Sequence, residues 1–554
     1  MKLIIVGGVA GGASAAARAR RLSEDAHIIM FERGPDVSFA NCGLPYHIGE
    51  VIPKRDSLLV TTPERLRERF QLDVRVRSQV ESIDRTKKVV VVRELNTNRV
   101  YEESYDKIIL APGASPIVPP MPGADLPNVY TLRNLADTDH IKKVVDDGIQ
   151  QVVIVGAGFI GLELAENFIH RGIKTTILDL NKQILAPFDP EMTTPLHQAL
   201  LAKGVEVLLG QTAESITTSD SGMTVKLTSG ASRPAQLVIL GIGVRPENKL
   251  AVDAGLEVGP RGGIRVNDFL QTTDPDIYAV GDAVETTDFT TGDRTQVPLA
   301  GPANRQGRIA ADNVFGRQTK YRGTQATAVL GFFNHTAATT GLSEKSLRRI
   351  GKSYRKIYIH PAHHAGYYPG AEGMSLKVIF DPESGKLLGA QGIGGAGVDK
   401  RIDVLAVAIQ AGMTVYHLEE MELCYAPQFG SAKDPVNMAG FVAGGLLRGD
   451  HPQIDWEEIA AATEKPLIVD VRTPLEYTQG HIEGAINIPV DDLRQRMSEL
   501  APERPVVVYC QVGQRGYLAT RILLQHGYQV KNLGGGYRTY LLHQPASVAD
   551  RSRS

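Results

Sequence analysis

Three cysteines stand in this 554-residue chain, Cys42, Cys424 and Cys510, too few and too widely spaced for a disulfide framework. A cysteine with a role here therefore works by chemistry, in a reducing compartment such as the cytoplasm. Cys510 follows the apolar run Val506-Val507-Val508-Tyr509, and four residues separate it from Arg515. A strand, a short loop and a helix start at that spacing ring the sulfur with backbone amides, which stabilises a thiolate and then a persulfide anion. Two glycine clusters suit another task. Gly156-Ala157-Gly158-Phe159-Ile160-Gly161 is a complete G-x-G-x-x-G, and Gly7-Gly8-Val9-Ala10-Gly11-Gly12 keeps the outer glycines with Val9 in the middle place. Each lets backbone amides and a helix N-terminus approach a pyrophosphate. Glu32 and Asp179 end the apolar runs that follow, where a carboxylate accepts from ribose hydroxyls; at Asp179 it would also repel a 2′-phosphate, favouring NADH over NADPH.

Short apolar runs flank both clusters: Leu3-Ile4-Ile5-Val6 before the first, and Val152-Val153-Ile154-Val155 and Thr175-Thr176-Ile177-Leu178 around the second. Such runs suit buried parallel strands, so two βαβ nucleotide domains are expected in an α/β protein. The strand and turn from Tyr105 to Gly113 recur from Asp276 to Asp282, which makes the first domain discontinuous. The expected division is residues 1–118 with 265–320, then 119–264, then an α+β interface domain over 321–447 with Leu376-Lys377-Val378-Ile379-Phe380 as one strand. A polar break, Arg448-Gly449-Asp450-His451-Pro452, precedes a further α/β domain over 452–554. With 60 basic and 62 acidic residues, the net charge of -2 offers no general field for nucleic acid or an anionic membrane. No apolar run approaches the ~18 residues of a membrane span.

Over residues 1 to about 447 the chain resembles the pyridine nucleotide-disulfide oxidoreductases. The resemblance implies FAD in the first domain, NAD(P)H in the second, and an interface domain that makes a homodimer. It assigns FAD to Gly7, Val9, Ala10, Gly11, Gly12, Glu32, Arg33, Ala111, Gly113, Asp282, Leu299 and Ala300. It assigns the nicotinamide nucleotide to Gly156, Gly158, Ile160, Gly161, Glu163, Asp179 and Gly243, with Glu163 near both rings. Ser38-Phe39-Ala40-Asn41-Cys42-Gly43-Leu44-Pro45 resembles the coenzyme A disulfide reductase branch, in which a single cysteine cycles through a mixed disulfide with coenzyme A. Dithiol members carry a second cysteine five residues on; here that place is His47, so the partner sulfur comes from outside the chain. The branch further implies coenzyme A at Ser14, Arg18, Arg21, Ser38, Asn41, Asn304 and Lys433, with the basic run Arg18-Ala19-Arg20-Arg21 toward its phosphates. It also implies two tyrosines reaching the redox cysteine across the dimer, Tyr425 and Tyr367, the second with Tyr368 as a neighbouring choice.

Asp470-Val471-Arg472, the stretch from Gly480 to Ala485, and the Cys510 to Arg515 loop resemble a single rhodanese domain over about residues 452–545. Related phosphatases use one more residue between cysteine and arginine, so the shorter loop indicates sulfur. The combined expectation is an NADH-dependent reductase of coenzyme A disulfide, coenzyme A persulfide or polysulfide. Cys42 is its redox centre, with a lowered thiolate pKa, and Cys510 its sulfur carrier; hydrogen sulfide is released, and no metal is required. Two alternatives stand beside it. A redox sensor or sulfur carrier for a protein partner would need no hydride channel, and the sibling NADH oxidases and peroxidases carry a histidine where this chain has Ala10.

Overall fold

The computed structural model describes residues 1–219 and 222–546; residues 220–221 and the end of the expected tail, 547–554, lie outside the described residues. The apolar runs become parallel strands buried on both faces. Ile277–Ala279, Lys107–Leu110, Lys2–Val6, His27–Phe31 and Asp73–Arg75 lie side by side in that order, all parallel. Leu3, Ile4, Ile5, Ile28 and Ile29 are fully buried, as strands covered on both sides require. The second copy of the strand-turn pattern thus returns to the first sheet. Around the other glycine cluster, Gln151–Val155 pairs with Lys174–Asp179 on one side and Leu237–Leu240 on the other, again in parallel.

The third sheet is antiparallel: Ala328–Phe332, His335–Gly341, Leu387–Gly394, Met374–Phe380 and Arg355–Ile359. Helices Val398–Gln410 and Pro435–Leu447 share its core through Val398, Ile402, Leu405, Val436 and Ala439. The fourth is parallel again, with Val506–Tyr509 between Leu467–Asp470 and Val530–Leu533. The protein is therefore α/β, with an antiparallel five-stranded sheet in place of a parallel one over residues 328–394 and smaller antiparallel sheets such as Ser78–Asp84, Val89–Glu94 and Val100–Ser104 beside the parallel ones.

Two compact units result: Met1–Lys182 with Gly204–Ala326, and Gln183–Lys203 with everything described from Thr327 onward. Gln183–Lys203, expected inside the 119–264 domain, belongs instead to the second unit. A buried lysine explains the difference. Every residue of Met374–Phe380 is buried, and Lys377 has no exposed surface. Its Nζ donates to Asp189 Oδ2 at 2.8 Å, Glu191 Oε1 at 2.6 Å and Glu344 Oε2 at 2.7 Å. Asp189 and Glu191 sit at the start of helix Pro190–Ala202, so that helix is tied to the antiparallel sheet by charge. Lys356 extends the network, donating to Glu344 Oε2 at 3.0 Å and Glu457 Oε2 at 2.7 Å. Burial alone would raise the Glu191 and Glu344 carboxyls; the Lys377 ammonium instead holds both below the usual carboxylate range.

Candidate active site

The first glycine loop is built for close approach. Gly7 has φ +98, and a Cβ there would lie 2.1 Å from the Ala111 carbonyl oxygen; on Gly12 it would lie 1.8 Å from that of Gly7. Only glycine fits either place. Val9 precedes helix Ala10–Arg20 without a capping side chain, leaving its first amides free for a ligand. The Glu32 carboxylate is held beside the loop, accepting from Gly8 N and Gly34 N, each at 2.8 Å. Across the sheet, Gly281 (φ +81) donates to Gln306 Oε1 at 2.7 Å and presents Asp282. The Asp282 carboxylate makes no hydrogen bond among the described residues, and burial raises its pKa while Arg133 opposes the rise. A desolvated carboxylate without a donor suits the hydroxyls of a polyol chain, so this cradle fits FAD. Leu299 precedes helix Ala300–Val314, which packs so tightly on Ala10–Arg20 that a Cβ on Gly307 would lie 2.2 Å from Gly11 O. Gly113 (φ +75) turns the chain after Ala111. Arg33 donates to Glu247 at 2.9 Å, as does Arg133. Against the effect of burial, bonds from Ser115, Arg33 and Arg133 draw the Glu247 carboxyl down to about 2.

The second loop repeats the device. A Cβ on Gly156 (φ +116) would lie 2.3 Å from Gly241 O, and one on Gly161 2.0 Å from Gly156 O, whereas at Gly158 it would meet nothing within 4 Å. Gly158 caps helix Phe159–His170, so open space stands above a helix N-terminus, which fits a pyrophosphate. Asp179 accepts from Ala157 N at 2.7 Å with one oxygen and from Asn181 N at 2.7 Å with the other. Ile160 is exposed on the first turn, and Gly243 (φ +120) accepts from Ile117 N at 2.9 Å.

Cys42 lies in a 3-10 turn, Asn41–Gly43, that runs into helix Leu44–Ile48. Ser38 (φ +47) donates its N–H to Gly8 O at 2.8 Å, hanging the segment on the first glycine loop, and Asn41 Nδ2 donates to Arg133 O at 3.2 Å. His47, at the place of a second cysteine, is buried with Nδ1 2.7 Å from Ile52 O. Tyr46 OH reaches Glu163 Oε1 at 3.4 Å. Burial pushes Glu163 up to about 7, with the Tyr46 hydroxyl opposing the rise and Glu166 adding to it. The expected lowering of the Cys42 pKa is not met: desolvation raises it, and the Glu163 and Asp282 carboxylates add to the rise. The fields of those two groups oppose a thiolate. Glu163→Gln removes one of the opposing charges, so the Cys42 pKa should fall. Mass-resolved alkylation of Cys42 should then shift to lower pH and run several-fold faster at pH 7.5; an unchanged profile would refute the coupling.

The residues expected at coenzyme A divide. Ser14 Oγ bonds Asn304 Oδ1, joining the two packed helices, and Asn304 Nδ2 donates to Ala300 O at 2.8 Å. The basic run is not one face. Arg18 is paired with Asp312 at 2.7 Å, Arg20 is buried on the carbonyls of Ser23, Glu24, Phe70 and Gln71, and only Arg21 is exposed without an ion pair among the described residues. Lys433, Tyr367, Tyr425, Cys510 and Arg515 fall in the second unit. There the Tyr367 and Tyr425 hydroxyls are 3.1 Å apart and both residues are exposed, while the Tyr368 ring meets the His364 ring edge-on. Tyr367 is thus the partner of Tyr425. Lys433 is exposed next to Asp434, which is buried against Arg401 at 2.7 Å.

Cys510 is buried at the end of its strand, and its Sγ accepts from Gly513 N at 3.1 Å. Gly536 (φ +65) lets the chain lie against the loop, since a Cβ there would be 2.3 Å from Cys510 O. Helix Gln514–Gln525 starts directly behind, aiming its N-terminus at the sulfur side of the loop. Arg515 is engaged by Glu476 through two bonds, at 2.7 and 2.6 Å. Arg472 grips Asp470, donates to Gln511 Oε1 at 3.0 Å and stacks on Tyr537. Sequence reasoning missed Glu476, Tyr46, Arg133 and Gln306. Glu476 was hidden because Thr473-Pro474-Leu475-Glu476 reads as a capping box, which it also is.

Descriptions of three known folds match successive stretches: pyridine nucleotide-disulphide oxidoreductase over residues 1–307, the dimerisation domain of that group over 327–435, and a rhodanese-like domain over 455–543. A coenzyme A disulfide reductase of Staphylococcus aureus (strain JH9) is 36% identical over 445 residues, 80% of this chain and 99% of that one. The chain belongs to the pyridine nucleotide-disulphide oxidoreductase family. Like other members of this family it is an oxidoreductase whose cofactors are FAD and a pyridine nucleotide. Its make-up is that of the family's coenzyme A disulfide reductase–rhodanese fusions. The reduced Bacillus anthracis CoADR-RHD is 47% identical, with 98% of each chain covered and a TM-score of 0.95. An NAD-dependent persulfide reductase from A. fulgidus is 34% identical, covers 98% of this chain and 100% of its own, and has a TM-score of 0.92. No helix among the described residues is long and apolar enough to cross a membrane.

Proposed function

We propose that the protein is a cytoplasmic homodimer that uses NADH to reduce coenzyme A disulfide and coenzyme A persulfide at Cys42, with Cys510 delivering sulfur. The observation that carries this reading is the Cys42 segment. It hangs on the flavin-type glycine loop in a unit that contains no other cysteine, which supports a reading in which the sulfur that pairs with Cys42 arrives on a substrate. Bound FAD, held by the first glycine loop, Glu32 and Asp282, would supply acceptance of a hydride from NADH and delivery of two electrons to sulfur. The chain's own residues do the rest. Asp179 favours NADH through its carboxylate, already fixed at the loop. Ser14, Ser38, Asn41, Asn304, Arg21 and Lys433 are the groups offered to coenzyme A, with Arg18 acting through Asp312 as a support.

Cys42 thiolate attacks the inner sulfur of the persulfide, forms a Cys42–coenzyme A disulfide and expels hydrosulfide; coenzyme A disulfide expels a coenzyme A thiolate instead. Glu163, with its carboxyl raised by burial, can hold a proton beside Cys42, and the Tyr367–Tyr425 hydroxyl pair, reaching across the homodimer, can give one to a leaving sulfur. The test is NADH consumption by the purified protein with coenzyme A disulfide, coenzyme A persulfide and polysulfide. All three are expected to be reduced. Cys510→Ser should keep the disulfide activity and lose most of the polysulfide activity. A protein that reduces neither coenzyme A substrate, or prefers NADPH, would overturn the reading; equal polysulfide activity in the variant would make the rhodanese domain a passenger.

A further inference from the structure

We infer that Glu476 sets the donor specificity of the Cys510 loop, by neutralising Arg515 so that singly charged persulfides are accepted and dianionic donors such as thiosulfate are disfavoured. This rests on the reading of Cys510 as a sulfur carrier and names the donor it takes. Cys510-Gln511-Val512-Gly513-Gln514-Arg515 contains one charged side chain besides the thiol, the Arg515 guanidinium. Both of its terminal nitrogens donate to Glu476, in the bidentate geometry that matches a carboxylate, while its field also reaches Cys510. Glu476 is in turn fixed at the start of helix Pro474–Thr478 by Thr473 N at 3.1 Å and Thr473 Oγ1 at 2.9 Å, so it cannot swing aside without uncapping that helix.

The Arg472 guanidinium, which donates to Gln511 of the loop, is also engaged: it is buried in its pair with Asp470, at 2.7 Å, and lies 4.3 Å over the Tyr537 ring. What the loop itself leaves for an incoming anion is the ring of backbone amides and a helix N-terminus. Partial charges of that size suit one negative charge, whereas a dianion needs a free cation as well. Both donors load sulfur by the same displacement. The Cys510 thiolate takes the outer sulfur of an alkyl persulfide and releases the alkyl thiolate, or takes that of thiosulfate and releases sulfite; in each case the product is the Cys510 persulfide anion. Glu476 touches neither donor. It is a positioning residue that acts through Arg515.

The experiment uses full-length Cys42→Ser protein, which isolates sulfur transfer from reduction, with 2-hydroxyethyl persulfide, whose only charge is the persulfide anion, or thiosulfate as donor and cyanide as acceptor. Thiocyanate formation gives kcat and KM, and peptide mass spectrometry locates the added sulfur. Without further change, kcat/KM for the persulfide should exceed that for thiosulfate by about tenfold or more. Glu476→Gln should raise the thiosulfate value about tenfold, mainly through KM, while the persulfide value stays within about twofold. The gained activity should fall with added salt, as attraction to a freed guanidinium must, and Glu476→Asp should restore the original preference. Equal use of both donors before substitution, or parallel losses with both in Glu476→Gln, would overturn the inference; the first of these stands even if the variant misfolds. Failure of every donor to load Cys510, in protein that still reduces coenzyme A disulfide with Cys42 present, would instead overturn the carrier reading and this inference with it.

Discussion

Cys42→Ser should abolish reduction of coenzyme A disulfide and coenzyme A persulfide, by roughly a thousandfold or more, the scale on which loss of a covalent nucleophile is felt. The substituted hydroxyl cannot form a disulfide and does not ionise near neutral pH. Neither glycine loop is altered, so bound FAD and bleaching of its absorbance by NADH should both persist. That contrast is the measurement: flavin spectrum and reduction rate unchanged, turnover with either sulfur substrate gone. Residual turnover above a few per cent would mean that another sulfur, Cys424 or Cys510, can serve, and the assignment of Cys42 would fall.

Lys377→Met carries the largest expected loss of stability. It removes the ammonium shared by Asp189, Glu191 and Glu344 while roughly keeping the side chain's volume; Lys356 still reaches Glu344 and Gln391 still reaches Asp189, but buried Glu191 is left with the Tyr358 hydroxyl. Breaking a buried ion pair from one side costs about 3–5 kcal/mol. The pH dependence has a definite sign. With Lys377 present, Glu191 and Glu344 have folded pKa values below their unfolded ones, so they stabilise the fold above the ordinary carboxylate range and lose that contribution as pH falls. Without it, the burial of Glu191 is no longer offset by an ammonium bonded to it, its carboxyl is raised, and that penalty is relieved as pH falls. The difference in urea midpoint or melting temperature between Lys377→Met and the unaltered protein should therefore be large at pH 8 and shrink toward pH 5. A constant difference across that range would assign the loss to packing instead.

The parts legible in the sequence are those whose requirement is local. Gly7, Gly12, Gly156 and Gly161 are dictated by backbone atoms a few residues away or on the next strand, and they announce themselves in the spacing. The strands are equally plain, because burial on two faces demands unbroken apolar runs, and even Lys377 stood inside one of them. Its role was not legible. The partners that make a lysine tolerable there come from Asp189, Glu191 and Glu344, and no rule of spacing joins them. The same reason hid the fate of the basic run: Arg18, Arg20 and Arg21 are near neighbours in sequence, but Asp312 claims one and a set of backbone carbonyls claims another. The Cys42 pKa was misjudged because it depends on Glu163 and Asp282, two residues brought to the sulfur only by the fold.

The buried charge network around Lys377 and Lys356 also bears on how such a chain can be cut and recombined. Comparison parses it into three exchangeable modules, yet Glu191 lies in the first, Glu344, Lys356 and Lys377 in the second, and Asp455 and Glu457 in the third. His360, hydrogen-bonded to Thr539 at 2.8 Å, adds a neutral stitch across the last two. A swap at either module border would carry away part of one charge balance and strand the remainder in a dry interior. The rhodanese tail is thus tied into the charge balance of the preceding domain, and its boundary in sequence is not a boundary in energy.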